Sequence, residues 1–179
     1  LSAGQQGAEE QMASRTVVRD ATESDVGRLT GIYAHWVKTG TMSFELEAPD
    51  EAEMLVRFRA VKRAGYPYLV MEEGGVIVGY AYAGAYRPRP AYRFTAENSI
   101  YLAKDAGGRG LGSILLQALL KRLKSDGYRS VIGIVSDPEV NASSVALHAK
   151  AGFREFGRAE GIGFKFDRWI DVAYLQLKF

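Results

Sequence analysis

The stretch Gly107-Gly108-Arg109-Gly110-Leu111-Gly112-Ser113 constrains this chain more than any other. A short apolar run, Ser99-Ile100-Tyr101-Leu102, precedes it. After it, leucines recur at helical spacing, while Ser113, Gln117, Lys121 and Lys124 form one polar stripe. A strand that turns through glycines directly into a helix is a building unit of α/β architecture. Glycines at such a junction allow positive φ and bring successive N–H groups close to an anion. The helix N-terminus adds its partial positive charge. The junction therefore either cradles a phosphate or pyrophosphate or serves only as a turn. Two familiar nucleotide motifs fail here. A P-loop needs Gly-Lys-Ser/Thr, and Gly110 is followed by Leu111. The fingerprint G-x-G-x-x-G, read from Gly108 or Gly110, ends on Ser113 or Leu115.

The rest of the chain supplies the layers. Thr16-Val17-Val18 reads as a first strand. Thr22 and Asp25 then begin a helix whose buried face is Val26, Leu29, Ile32, Tyr33 and Trp36, and Gly40 stops it. Asp50 with Glu53 forms a capping-box pattern for a second helix, which ends at Gly65 and Pro67. Tyr68 to Met71 and Val76 to Ala83, around Glu73-Gly74-Gly75, read as a hairpin. Ser130 to Val135 is a buried strand by length and β-branching, Asn141 starts a last helix closed by Gly152, and Phe153 to Phe179 reads as two strands around Phe166-Asp167-Arg168. The order β-α-α-β-β-β-α-β-α-β-β predicts one α/β domain over 16–179, with a central mixed sheet and helices on both faces.

Composition narrows the function. Of 179 residues, 47% are hydrophobic and 25% charged, and the formal net charge of +2 is too small for a general nucleic-acid binder. With no cysteine, a thiol nucleophile and cysteine-ligated zinc are excluded, and two histidines, His35 and His148, make a histidine-rich metal site unexpected. No apolar run approaches the roughly 18 residues of a transmembrane helix. Residues 1–15 read as a polar leader or expression remnant, with the natural start expected at Met12; the expected compartment is the cytoplasm.

Arg109-Gly110-Leu111-Gly112 at a strand-to-helix turn resembles the pyrophosphate loop of the GNAT-type N-acetyltransferases, written Q/R-x-x-G-x-G/A. Gly107 stands at the Q/R position, a departure that weakens side-chain anchoring and leaves the backbone donors in place. Asn141-Ala142-Ser143-Ser144, Leu147-His148 and Ala151-Gly152-Phe153 resemble the family's second cofactor segment. The run Tyr86 to Tyr101 resembles the phosphinothricin acetyltransferase subfamily, as do Met42-Ser43-Phe44-Glu45, Gly65-Tyr66-Pro67 and Gly163-Phe164-Lys165 through Val172. Asp167 departs again, standing where the subfamily usually has glycine. The resemblance implies a GNAT-like fold with splayed central strands and acetyl-coenzyme A as co-substrate. The loop Gly107 to Ser113, the strand Ile100-Tyr101-Leu102, Asn141 and Ser144 would bind it. A homodimer is implied as well.

Acyl transfer from a thioester to an amine needs a base for the ammonium, donors for the oxyanion and a proton for the departing thiolate. Glu97 is the candidate base, expected just before the strand that leads to the glycine loop; its plainer role is a structural carboxylate paired with Arg93. Ile100 to Leu102 would supply a backbone donor. His148 could protonate the thiolate or be satisfied by the core or the cofactor. Arg87, Arg89 and Arg93 form either a carboxylate clamp or a solvated basic loop. Phe44, Pro88, Asn98 and Ser99 complete the expected substrate site, while His35 is expected to be structural and Tyr82 and Trp169 to belong to the core. The resemblance implies direct N-acetylation of a small α-amino acid or analogue, such as phosphinothricin, methionine sulfoximine or methionine sulfone. Acetylation of a peptide N-terminus or another amine, and a non-catalytic acetyl-coenzyme A or amino-acid binding module, are the alternatives.

Overall fold

The computed structural model of the protein describes residues 16–179; the expected leader lies outside the described residues. The elements run β1 (Thr16–Asp20), α1 (Val26–Thr39), α2 (Glu51–Arg63), β2 (Tyr68–Glu73), β3 (Val76–Ala85), β4 (Thr95–Leu102), α3 (Leu111–Ser125), β5 (Ser130–Ser136), α4 (Ala142–Lys150), β6 (Arg154–Lys165) and β7 (Arg168–Lys178). The strands form one mixed sheet in the order β1-β2-β3-β4-β5-β7-β6. All neighbours are antiparallel except β4 and β5, whose connection crosses over through α3. This is the expected α/β architecture.

Each face of the sheet has its own core. Leu115, Leu116, Leu119 and Leu123 of α3 are fully buried against Met71, Ala81, Ala96 and Val131. Each such leucine contributes roughly 1.5–3 kcal/mol of burial. On the other face α1 and α2 bring Val26, Leu29, Ile32, Met54 and Phe58 onto Tyr68, Val70 and Tyr80. Local details differ from expectation. Thr22 precedes a 3-10 turn, Glu23–Asp25, before α1 begins. Asp50 accepts from the Glu53 N–H at 2.8 Å, but the Glu53 carboxylate pairs with Arg57 instead of reaching back. Trp169, expected in the core, is 68% exposed, because β6 and β7 form a hairpin at the sheet edge whose outer face no helix covers among the described residues.

One irregularity positions the site. The β4–β5 ladder runs from Thr95–Ser130 to Asn98–Gly133 and ends there, although β4 continues to Leu102 and β5 to Ser136. Beyond that pair the strands part, as the family resemblance implies, and the β4 backbone from Ser99 onward loses its neighbour on that side. The segment between α1 and α2 is tied across the opening. Thr41 Oγ1 donates to Asp137 Oδ2 at 2.8 Å, and Ser136 Oγ donates to the Thr41 carbonyl. Lys165 Nζ donates to the Ser43 carbonyl at 2.8 Å.

Candidate active site

The parting of β4 and β5 opens into two adjoining cavities. The smaller, about 210 Å³, is walled by Phe44, Glu97, Asn98, Ser99, Ser136 and His148. The larger, about 480 Å³, runs from Trp36 and Ile100-Tyr101-Leu102 along Gly107, Gly108, Gly110, Gly112 and Ser113 to Leu147 and Lys150. Met42, Ile100, Tyr101, Asn141 and Ser144 line both.

The glycine loop has the geometry its composition suggests. Gly108 and Gly110 take φ of +75° and +78°, and an added Cβ at Gly107, Gly108 or Gly110 would meet open space. Gly110 forms the N-cap of α3, and its carbonyl accepts from Ser113 N–H at 3.1 Å. The first-turn amides ahead of Ser113 thus stand at the positive end of a fifteen-residue helix. Two loop residues do not face the cavity: Arg109 pairs with Glu73 at 2.8 Å, and Leu111 is buried in the α3 core.

Glu97 lies inside β4, not ahead of it, because β4 begins already at Thr95. It is half-buried and forms no ion pair among the described residues. Burial pushes its carboxyl above the usual range, and the Arg87 cation pulls it partly back. Pairing with Arg93 is not realised: Arg93 donates to the Pro90 carbonyl at 3.3 Å and lies 4.5 Å from the Phe94 ring centroid. Nor do the three arginines converge. Arg87, Pro88, Arg89 and Arg93 are all exposed, and of the arginines only Arg87 is felt by Glu97.

Asn98 points to the opposite face of the sheet from Glu97, since successive strand residues alternate. Its Nδ2 donates to His148 Nε2 at 3.0 Å, while its Oδ1 is buried without a partner. His148 Nδ1 lies 2.8 Å from the Ser144 carbonyl, which can only accept, so Nδ1 carries the proton. Turning the Asn98 amide around would require a doubly protonated imidazole, which burial opposes by lowering the His148 pKa. The imidazole is therefore neutral, with its lone pair occupied and its N–H bonded away. This corrects the expectation of a thiolate acid: His148 has no free proton to give. Asn141 is similarly committed, donating to the Ser136 carbonyl at 2.7 Å and to Thr41 Oγ1 at 3.1 Å.

Three further residues shape the site. Met42 lines both cavities. Trp36 Nε1 donates to the Leu102 carbonyl at 2.6 Å and walls the larger cavity. A Cβ at Gly133 would come 2.8 Å from His148 Cδ2, so glycine admits the imidazole. A glycine inside a β-branched strand signals such close approach, and that clue was legible. Phe44, 40% exposed, packs its ring over Gly163, where a Cβ would fall 2.3 Å from Cζ.

Fold and cavities define a class of acyl-transfer enzyme. Residues 29–153 match the acetyltransferase (GNAT) family, and the chain belongs to that family. It is 48% identical to a phosphinothricin N-acetyltransferase of Alcaligenes faecalis, over 89% of this chain and 80% of that protein. It is 36% identical to an L-methionine sulfoximine/L-methionine sulfone acetyltransferase of Pseudomonas paraeruginosa, over 89% of this chain and 92% of that one. The crystal structure of a phosphinothricin acetyltransferase from Sinorhizobium meliloti in complex with acetyl-coenzyme A superposes with a TM-score of 0.88. It shares 41% identity and covers 92% of this chain and 88% of that one. The residues present here fit that co-substrate: open glycine amides for a diphosphate, a β4 side left without its β5 neighbour for an amide-bearing arm, and a cavity that joins the two.

Proposed function

We propose that this acetyltransferase moves the acetyl group of acetyl-coenzyme A to the α-amine of a small amino acid or analogue, in a ternary complex, with Glu97 as general base. The observation that carries the reading is Glu97 itself: half-buried, without an ion pair among the described residues, basic through burial, and on the cavity wall beside the point where β4 and β5 part. The relatives' substrates, phosphinothricin and methionine sulfoximine or sulfone, support the acceptor class. In this reading the glycine-loop amides hold the diphosphate, and the β4 N–H groups of Ile100 and Leu102, which point away from β3, hold the arm and the carbonyl oxygen. Arg87 receives the acceptor carboxylate. Glu97 takes the ammonium proton, directly or through a water; the new C–N bond forms as the C–S bond breaks, and the thiolate is reprotonated from solvent. No acyl-enzyme is required, and the chain has no cysteine to form one.

The same reading places the enzyme in the cytoplasm and makes it a homodimer. Phe156, Ile162, Phe164, Phe166 and Trp169, each more than half exposed on the β6–β7 hairpin, offer the apolar surface for that contact. Replacing Glu97→Gln tests the mechanism: kcat should fall about 10²–10⁴-fold while coenzyme A affinity holds. Undiminished turnover would remove Glu97 from the reaction.

A further inference from the structure

The larger cavity takes its charge from two residues. Lys104 and Lys150 line it, and among the described residues no carboxylate does. Both lysines are exposed, and neither forms an ion pair among the described residues. The glycine loop brings no cation of its own into this space. Gly107 has no side chain, and Arg109 is held by Glu73 at 2.8 Å. Nor is Lys150 needed to finish its helix. The Leu147, His148 and Ala149 carbonyls at the end of α4 already accept from the N–H groups of Ala151, Gly152 and Phe153.

Spacing along α4 sets which part of coenzyme A meets these cations. Ser144, Leu147 and Lys150 recur every three residues and all line the larger cavity. Ser144 also lines the smaller cavity, at the reacting end. Leu147 stands level with the first turn of α3, since a Cβ at Gly112 would lie 3.4 Å from its Cδ2. Lys150 comes one step later, about 4.5 Å further along the helix axis from the reacting end. The opposite wall has the same order. Ile100 and Leu102 line it first, and Lys104 follows in the 3-10 turn Lys104–Ala106 that leads into the loop. Counted from the reacting end, each wall thus reaches its lysine after its arm-lining residues. The first-turn amides of α3 meet the diphosphate, so the anionic group left for the two lysines is the 3′-phosphate on the ribose. That group carries close to two negative charges at neutral pH.

We infer that Lys104 and Lys150, one from each wall, hold the 3′-phosphate of coenzyme A, and that the pair makes the enzyme select coenzyme A over its 3′-dephospho form. The inference rests on the co-substrate of the function proposed above. One exposed ammonium gains little from a single anion. Two that serve one dianion, beside the positive end of α3 and with no carboxylate in the lining, act with fields that add. Lysine suits the task as a point charge on a flexible stem, whereas the fixed loop amides suit the diphosphate.

Titration calorimetry of coenzyme A and of 3′-dephospho-coenzyme A tests this with the whole protein. Wild type should bind coenzyme A about ten- to hundredfold more tightly than the dephospho form. Lys104→Met and Lys150→Met should each weaken coenzyme A about three- to tenfold and leave the dephospho form unchanged. The double variant should bind the two ligands nearly alike. Raising salt from about 0.05 to 0.5 M should narrow the wild-type preference. Both side chains are exposed, so the melting temperature of each variant should match the wild type and report an intact fold. Equal weakening of both ligands would assign the lysines to the diphosphate and overturn the inference, as would a preference that one lysine carries alone or that neither variant moves. No binding of either ligand to the wild type would overturn the proposed co-substrate and this inference with it.

Discussion

The side-chain amide of Asn98 donates to Nε2 of His148 at 3.0 Å, and that bond crosses from β4 to α4 at the last rung before β4 and β5 part. Both side chains are buried, His148 at 3% and Asn98 at 6% exposure. The imidazole thus acts as an acceptor that fixes Asn98 at the mouth of the opening, and its ring packs edge-on against Phe153 at 5.0 Å.

Replacing His148→Ala should cost about 2–4 kcal/mol, from a buried amide left unpaired and the cavity left behind. The acidic limb of the pH–rate profile, set by Glu97, should persist in the variant. Disappearance of a basic limb would instead restore His148 as a proton donor. Stability carries its own signature. The folded His148 pKa lies below its unfolded value of 6.5, so the unfolded chain binds the proton first. This contribution is complete above pH 6.5 and is lost as pH falls below it. Urea midpoints from pH 8 to pH 5 should show that loss in the wild type and less of it in His148→Ala.

Gly133 provides the clearance for this contact, and its replacement by alanine is predicted to couple to His148. The added Cβ would lie 2.8 Å from Cδ2 and 3.0 Å from Nε2 of an imidazole held by two hydrogen bonds. Overpacking of this kind costs about 1–3 kcal/mol. In a His148→Ala background the obstruction is gone, so the penalty of Gly133→Ala should largely vanish. Additive penalties in that double-mutant cycle would refute the clearance argument.

The architecture was legible in the sequence because periodicity and glycine punctuation are local signals: the leucine face of α3 and the run Ser130 to Val135 fall where spacing puts them. Side-chain partners were less legible. Nothing in the local pattern tells that Asn98, beside Glu97, turns to the other face and meets a residue fifty positions later. The arginine-rich run gave the opposite error. Three cations close in sequence suggested convergence, yet a 3-10 turn at Pro90–Tyr92 and contacts with Pro90 and Phe94 direct Arg93 elsewhere. Trp169 was misplaced because hydrophobicity alone cannot tell a core strand from an edge hairpin with one uncovered face.

The glycine loop separates conformational need from chemical need. Gly110, at φ +78°, should lose about 1–2 kcal/mol when replaced by alanine, and the displaced first-turn amides should weaken coenzyme A binding tenfold or more. Gly107 is different: its φ of −70° is ordinary, and a side chain there meets open space. Gly107→Gln should leave the melting temperature within a degree or two and tighten coenzyme A severalfold, as titration calorimetry would show. A weaker complex would mean that the missing side chain has no anchoring role.

Arg87 should shift the acidic limb that Glu97 sets. Glu97 must be ionised to accept a proton, so kcat/KM should rise with pH through an apparent pKa above its ordinary 4.5. The Arg87 cation holds that pKa down, so Arg87→Ala should move the limb to higher pH. It should also raise the acceptor KM at least tenfold, as loss of a carboxylate partner does. A limb that stays in place in Arg87→Ala would separate the two groups.

The turn between β6 and β7 contains strain that one substitution should relieve. Lys165 pairs with Arg168, leaving a two-residue loop in which Phe166 and Asp167 take φ of +51° and +56°. Positive φ at both positions is the requirement of a type I′ hairpin, for which Asn-Gly and Asp-Gly are the favoured pairs. Aspartate visits this region at less cost than most residues, yet glycine has no Cβ to clash with the following carbonyl. Asp167→Gly should therefore stabilise the protein by about 0.5–1 kcal/mol, after the greater backbone freedom of glycine in the unfolded chain is subtracted. For a chain of this size that raises Tm by about 1–4 °C. Asp167→Ala should lower it, since alanine keeps the Cβ and loses the local hydrogen-bonding capacity of the carboxylate. Phe166 offers no such gain: its ring lies 5.2 Å from Lys165 Nζ, the group that anchors Ser43, so Phe166→Gly would remove a contact along with the strain. A calorimetric scan in which Asp167→Gly melts below the wild type would show that the turn is not held at the cost its dihedrals imply.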